Sequence, residues 1–369
     1  MSFTRRSFHR SLLAAAALGL AGGAAHAAVD EEGGMRGGKV FTSTNAAAGN
    51  EVLAYGAGPG GSLALLARYP TQGLGTGAGL GSQGAVQLSG DGRWLFVVNA
   101  GNNTVSTFAV RPAGLVLTSV HDSGGLHPIS VGEHEGLVYV LNDGGSGNVA
   151  GFRNDGGSLS AVAGSTQPLS AAGGTGPAQV SIGPDGDLLV VTEKTTNRIT
   201  SYALGADGSA GAPTVTASAG ITPFGFAFDR RNRIFVSEAN QSTLSSYRFD
   251  GTTPVVISAA VPTTQAAACW AAVTPNGRYA YTGNAGTNSV SLFAIDRRGH
   301  ATLVAGAAAS TGSNGGAGDI AIAGHGRSLS ILAPRTPAIF SFSVAPDGTL
   351  SPAGTATGLP AGVVGLAAN

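Results

Sequence analysis

The chain repeats itself, and the period of that repeat limits the fold more than any other feature. Each unit is a short apolar run, a tight turn, a second strand, a polar loop, a third strand and a weaker fourth. The turns read Gly90-Asp91-Gly92-Arg93, Pro184-Asp185-Gly186-Asp187 or Pro275-Asn276-Gly277-Arg278. The last apolar residue of the first strand falls at Leu88, Ile182, Phe228, Val273, Ile322 and Leu366, with gaps of 94, 46, 45, 49 and 44 residues. The first gap holds two units, the second of which begins at His127-Pro128-Ile129-Ser130-Val131. Four strands per unit at this period predict an all-β, seven-bladed β-propeller, because a single four-stranded sheet cannot bury both faces and must stack in a ring.

The two ends predict how the ring closes. Gly362–Asn369 reads as a first strand with nothing after it, and Lys39–Tyr55 as second and third strands with nothing before. The C-terminal strand therefore completes the N-terminal blade and removes the open edge that a broken ring would present. Up-and-down connectivity puts the Asp-Gly turns on one face, called lower here. The second-to-third-strand loops and the connections between blades lie on the other, where small ligands of ring-shaped folds bind.

Composition fits this reading: 43% apolar residues, 11% charged, and 60 glycines that fall in short clusters between Val, Ile, Phe and Tyr runs. Residues 1–27 read as a twin-arginine export signal, with Arg5-Arg6, an apolar segment too short to span a bilayer, and Ala25-His26-Ala27 as the cleavage site. Residues 28–38 read as a flexible mature N-terminus and 39–369 as one propeller domain, in a protein expected to be periplasmic or secreted, monomeric and not inserted in the membrane. Without the signal, 17 basic groups face 20 acidic ones. That balance does not attract nucleic acid or anionic lipid. Cys269 is the only cysteine, so no intrachain disulfide or thiolate cluster forms, and no metal or other cofactor is expected.

One residue per blade at the end of the second strand gives Asn45, Asn99, Asn142, Glu193, Glu238, Asn284 and Ala333. An Asn there starts a turn by bonding nearby backbone. Glu does this poorly, so Glu193 and Glu238, in neighbouring blades and on the order of 8 to 10 Å apart, are expected to flank a bound molecule. The first strands offer a channel lining that includes Gln179, Trp270 and Asp319, with His127 and Phe224 just above it. Arg335 is placed to reach an anionic substrate. The match to GxGxxG at Gly79–Gly84 is followed by a strand and not a helix, which excludes dinucleotide binding.

Units such as Pro177–Tyr202 and Thr222–Asp250 resemble the seven-bladed propeller lactonases, which include bacterial 6-phosphogluconolactonases and carboxymuconate cyclase-like proteins. The resemblance covers nearly the whole mature chain. It implies a hydrolase or cyclase acting on a small lactone or related carboxylic acid such as a sugar acid. In that family a His-bearing first strand is followed one blade later by a Pro-Arg-His first strand, whose second strand ends in Asn-Glu. Here those places read Pro177-Ala178-Gln179, Pro223-Phe224-Gly225 and Ser237-Glu238, so Glu238 alone carries over. On this reading Glu238 is the general base, Glu193 positions or shares that role, and Lys194, Gln179 or His127 contacts the oxyanion or leaving group. Trp270, Phe224, Asp319 and Arg335 complete the ligand site. The alternative is a non-catalytic propeller of the cell envelope that binds a ligand or protein on its upper face.

Overall fold

The computed structural model describes residues 38–57 and 62–369, which belong to one compact unit. The export signal expected over residues 1–27 lies outside the described residues. Seven antiparallel four-stranded sheets follow one another along the chain. The first blade is built from Val364–Ala368, Lys39–Ser43, Glu51–Ala57 and Leu63–Pro70 in that spatial order. Strand Val364–Ala368 pairs antiparallel with Lys39–Ser43, Val40 opposite Ala368 and Ser43 opposite Val364, so the C-terminus closes the ring as the sequence predicts.

Blade 2 starts at Val86, blade 3 at Pro128, blade 4 at Pro177, blade 5 at Pro223, blade 6 at Ala268 and blade 7 at Ile320. The third blade carries an extra two-residue strand, Gln167–Pro168, against Asn148 and Val149.

Burial is graded from the channel outward. The second strands Leu137–Asn142 and Leu188–Glu193 are buried at every residue, while the fourth strand Leu63–Pro70 is mostly open to solvent. That gradient explains why the inner strands lack the alternation of a half-buried strand: both their faces meet a neighbouring blade. Buried tyrosines join the blades. The Tyr139 hydroxyl donates to the Gly208 carbonyl of blade 4, and Tyr281 to Gly348 of blade 7, each at 2.7 Å, so each ring is buried without orphaning its polar tip. Several lower turns are Asx turns: Asp91, Asn276 and Asp347 each accept the backbone N–H two residues on.

Candidate functional site at the upper mouth

In blades 2 and 6 the asparagine at the end of the second strand points into its own blade. Asn99 donates to Thr104 Oγ1 and Ser106 Oγ on the third strand and accepts from Thr71 Oγ1 on the connector from the previous blade. Asn284 does the same with Ser289 and Ser291. These asparagines thus reach five and seven residues on, not to the adjacent backbone of a simple turn.

Glu193 and Glu238 occupy this same interior position, and both are 0% exposed. Glu193 accepts from the Ser170 N–H and hydroxyl, and from Thr196 and Thr200 Oγ1 at 2.7 Å. Glu238 accepts the Gly220 N–H at 2.8 Å and the Thr243 and Ser218 hydroxyls. A Cβ at Gly220 would lie 2.3 Å from the Glu238 carboxyl carbon, so that connector must carry glycine. Burial raises the Glu238 pKa, and these donors offset it only in part.

This corrects the expectation that the two acids flank a bound molecule. Each replaces an asparagine as the peg between third strand and connector, and neither carboxylate has a face open to a ligand.

Side chains alternate along a strand, so the next residue looks the other way. That column reads Ala46, Ala100, Asp143, Lys194, Ala239, Ala285 and Pro334. Its geometry recurs: the N–H groups of Asp143, Lys194, Ala239 and Ala285 donate to the carbonyls of His127, Gly176, Thr222 and Ala267, whose φ angles are all between 54° and 63°. Ala239 and Ala285 pack on Ala178, Phe224 and Cys269, with Trp270 beside them. The column therefore lines the upper mouth, and only Asp143 and Lys194 bring charge to it.

The Lys194 ammonium donates to the Gly81 and Pro177 carbonyls and lies 5.0 Å from the centre of the Phe224 ring, itself 5.1 Å from Trp270. Burial lowers its pKa; Asp143 and then Cys269 pull the other way. Burial pushes the Cys269 thiol up to about 12, with Lys194 and Arg335 offsetting only part, so it sits there as a neutral small apolar group.

The mouth is partly stoppered by the segment that mimics GxGxxG. Ser82 Oγ donates to Ile129 O, and Trp270 Nε1 to Ser82 O. The Gln83 amide bonds both the N–H and the C=O of Ala271. Gln83 N donates to Ala178 O, and Gly84 N to Asp319. Three residues, Ser82, Gln83 and Gly84, thereby tie blades 3, 4, 6 and 7 together. A Cβ at Gly225 would stand 2.0 Å from Gln83 Oε1, which is why that lining position is glycine.

Two further expected ligand contacts are stitches between blades. Gln179 bonds the N–H and C=O of Phe226 in blade 5. Asp319 accepts from Gly84 and from Gly365 of the closing strand. Both are buried and committed to these bonds. Arg335 is exposed and donates to Ala285 O, and His127 is half-buried at the start of blade 3. Of the predicted residues, the structure brings together Lys194, Phe224 and Trp270. Asp143 was missed, although the column after the peg residue shows it as the acidic counterpart of Lys194. Among the described residues no cluster of His, Cys, Asp and Glu is arranged to hold a metal ion.

Residues 132–260 match the lactonase family of seven-bladed β-propellers. The matched stretch runs from the first strand of blade 3 to the fourth of blade 5, and so contains Asp143, Lys194 and Phe224. No curated protein matches the chain. Among solved structures, a candidate 6-phosphogluconolactonase from Bacteroides fragilis superposes with a TM-score of 0.71 at 18% identity, over 90% of this chain and 98% of that one. The periplasmic gluconolactonase of Pseudomonas aeruginosa gives 0.66 at 15%, over 89% and 98%. A virginiamycin B lyase from Staphylococcus aureus, with quinupristin, gives 0.54 at 14%, over 73% and 83%. These likenesses establish the fold. The names of these neighbours span a lactonase and a lyase, so the reaction of this lactonase-like propeller has to be argued from its own side chains.

Proposed function

We propose that the protein is a lactonase-type hydrolase whose site is the upper mouth around Lys194. The observation that carries this is a partly desolvated ammonium against the Phe224 ring, with a carboxylate, Asp143, in electrostatic reach. The aromatic pair would hold the face of a small ring. Lys194 would donate to the carbonyl oxygen as it becomes an oxyanion, an effect worth roughly 10²–10³ in rate for one well-placed donor. Asp143 would take a proton from the attacking water. Collapse of the tetrahedral intermediate breaks the ring C–O bond, and the alkoxide takes back the proton held by Asp143 to give the hydroxy acid. The twin-arginine leader and the periplasmic gluconolactonase among the structural neighbours support an exported protein.

A panel of five- and six-membered lactones followed by acid release tests this reading. Turnover by the purified protein should fall at least 100-fold, by the same estimate, in Lys194→Met and in Asp143→Asn. Unchanged turnover in both variants would remove the assignment. A second reading, binding without turnover, is favoured by the Gly81 and Pro177 carbonyls that already occupy two of the ammonium's three N–H bonds. It predicts ligand-induced thermal stabilisation by hydroxy acids with no acid release.

A further inference from the structure

We infer that the lower face, between blades 5 and 6, carries a second site that binds the phosphate groups of a multivalent anion. Most lower turns use Asp and Gly, but here the chain writes Asp229-Arg230-Arg231-Asn232-Arg233 in blade 5, and Arg278 and Asp296-Arg297-Arg298 in blade 6. Five of these arginines, 230, 231, 233, 278 and 297, line one cavity of about 210 Å³ with Asp229 and Asp296. Five cations against two acids leave the lining at net +3, on a chain whose formal charge is zero.

Both acids are already committed. Asp229 is gripped by the Nε and Nη2 of Arg233 and by the backbone N–H groups of Arg231 and Arg233. Asp296 accepts the N–H groups of Arg298 and His300. Arg231 and Arg233 each donate to the Arg297 carbonyl, at 2.6 and 3.1 Å, which fixes the two turns relative to each other.

The side chains of Arg230, Arg278 and Arg297 make no ion pair and no hydrogen bond among the described residues, and Arg278 lies over the Tyr279 ring at 5.5 Å. Three unpaired guanidiniums around one concavity repel one another unless an anion joins them. Their planar forks match the tetrahedral oxygens of phosphate. The cavity holds one such group directly, from a free phosphate ester or from one unit of a polymer.

Calorimetric titration of the full chain with inorganic pyrophosphate and with long-chain polyphosphate, at about 50 mM salt, tests the site. Saturable binding that weakens with salt is expected. It should weaken roughly tenfold or more in Arg230→Ala/Arg278→Ala/Arg297→Ala and be unchanged in the charge-matched control Arg68→Ala/Arg111→Ala/Arg248→Ala. Binding of pyrophosphate at one per chain supports the site with a small ester as ligand; binding of polyphosphate alone supports it with a polymer. The proposal fails if neither probe binds, or if the control weakens binding as much as the triple variant does. Melting temperatures of both variants report whether the fold is intact.

Discussion

Asp319 is where the closing strand and the mouth segment meet, and its ionisation gives the account a quantitative test. The carboxylate is 5% exposed and accepts the Gly84 N–H at 3.3 Å and the Gly365 N–H at 3.1 Å. Burial pushes its pKa up to about 7, with those two donors offsetting only part. Unfolded, the same carboxyl titrates at about 3.9. The native state therefore holds a proton that the unfolded chain has released. This contribution is favourable below about pH 4, is lost as pH rises to about 7, and stays lost above that. About three pH units at roughly 1.4 kcal/mol each set an upper bound near 4 kcal/mol, and relaxation of the surroundings brings a realistic figure to about 2–4 kcal/mol.

Asp319→Asn cannot ionise. It keeps one acceptor and turns its amide N–H toward the other backbone donor, which costs about 1–3 kcal/mol at every pH. In urea unfolding the stability of the variant relative to the wild type should improve by about 1–3 kcal/mol between pH 5 and pH 8, the part of the effect that falls between pH 5 and the folded pKa. An equal deficit at both pH values would refute the reasoning, because it would mean that the carboxyl titrates alike in the folded and unfolded chain.

The pegs and the close approaches give further tests. Glu238→Ala strands the Gly220, Ser218 and Thr243 donors and should destabilise the fold by about 3 kcal/mol, leaving lactone turnover per folded molecule unchanged; a folded but inactive variant would return this acid to the chemistry. Gly225→Ala drives a methyl into the Gln83 amide, 2.0 Å away, and should cost about 1–3 kcal/mol in chemical denaturation, whereas Gly90→Ala, in open space, should not. Removal of Gly362–Asn369 takes away the strand paired with Lys39–Ser43 and should lower the melting temperature of the whole propeller in one transition; loss of protease resistance confined to blade 1 would contradict closure.

Period and turn chemistry made the ring legible from the sequence because they are local patterns that recur along the chain, and the unmatched strands at the two ends showed how it closes. The candidate site was legible one residue out of register. A strand's period of two puts adjacent residues on opposite faces, and the sequence alone does not say which of Glu193 and Lys194 looks inward. The register shifts at Pro177/Gln179, Pro223/Phe226 and Ala268/Trp270 add to this, because an extra residue near the start of the first strand breaks the alternation from which facing is read. Comparison down the repeat does carry the signal: five of the seven residues that follow the peg are Ala or Pro, and the exceptions are Asp143 and Lys194. The cross-ring bonds of the mouth segment were not legible, because its partners lie up to 235 residues away.

The chain contains two lysines, Lys39 and Lys194, so selective ¹³C labelling at lysine Cε gives one resonance for each, and that measurement addresses the central claim directly. The account predicts that the Lys194 resonance titrates below the usual lysine value and shifts on adding a hydroxy acid or lactone that the protein binds, while that of Lys39 does not move with ligand. A Lys194 resonance that ignores every bound ligand would contradict it.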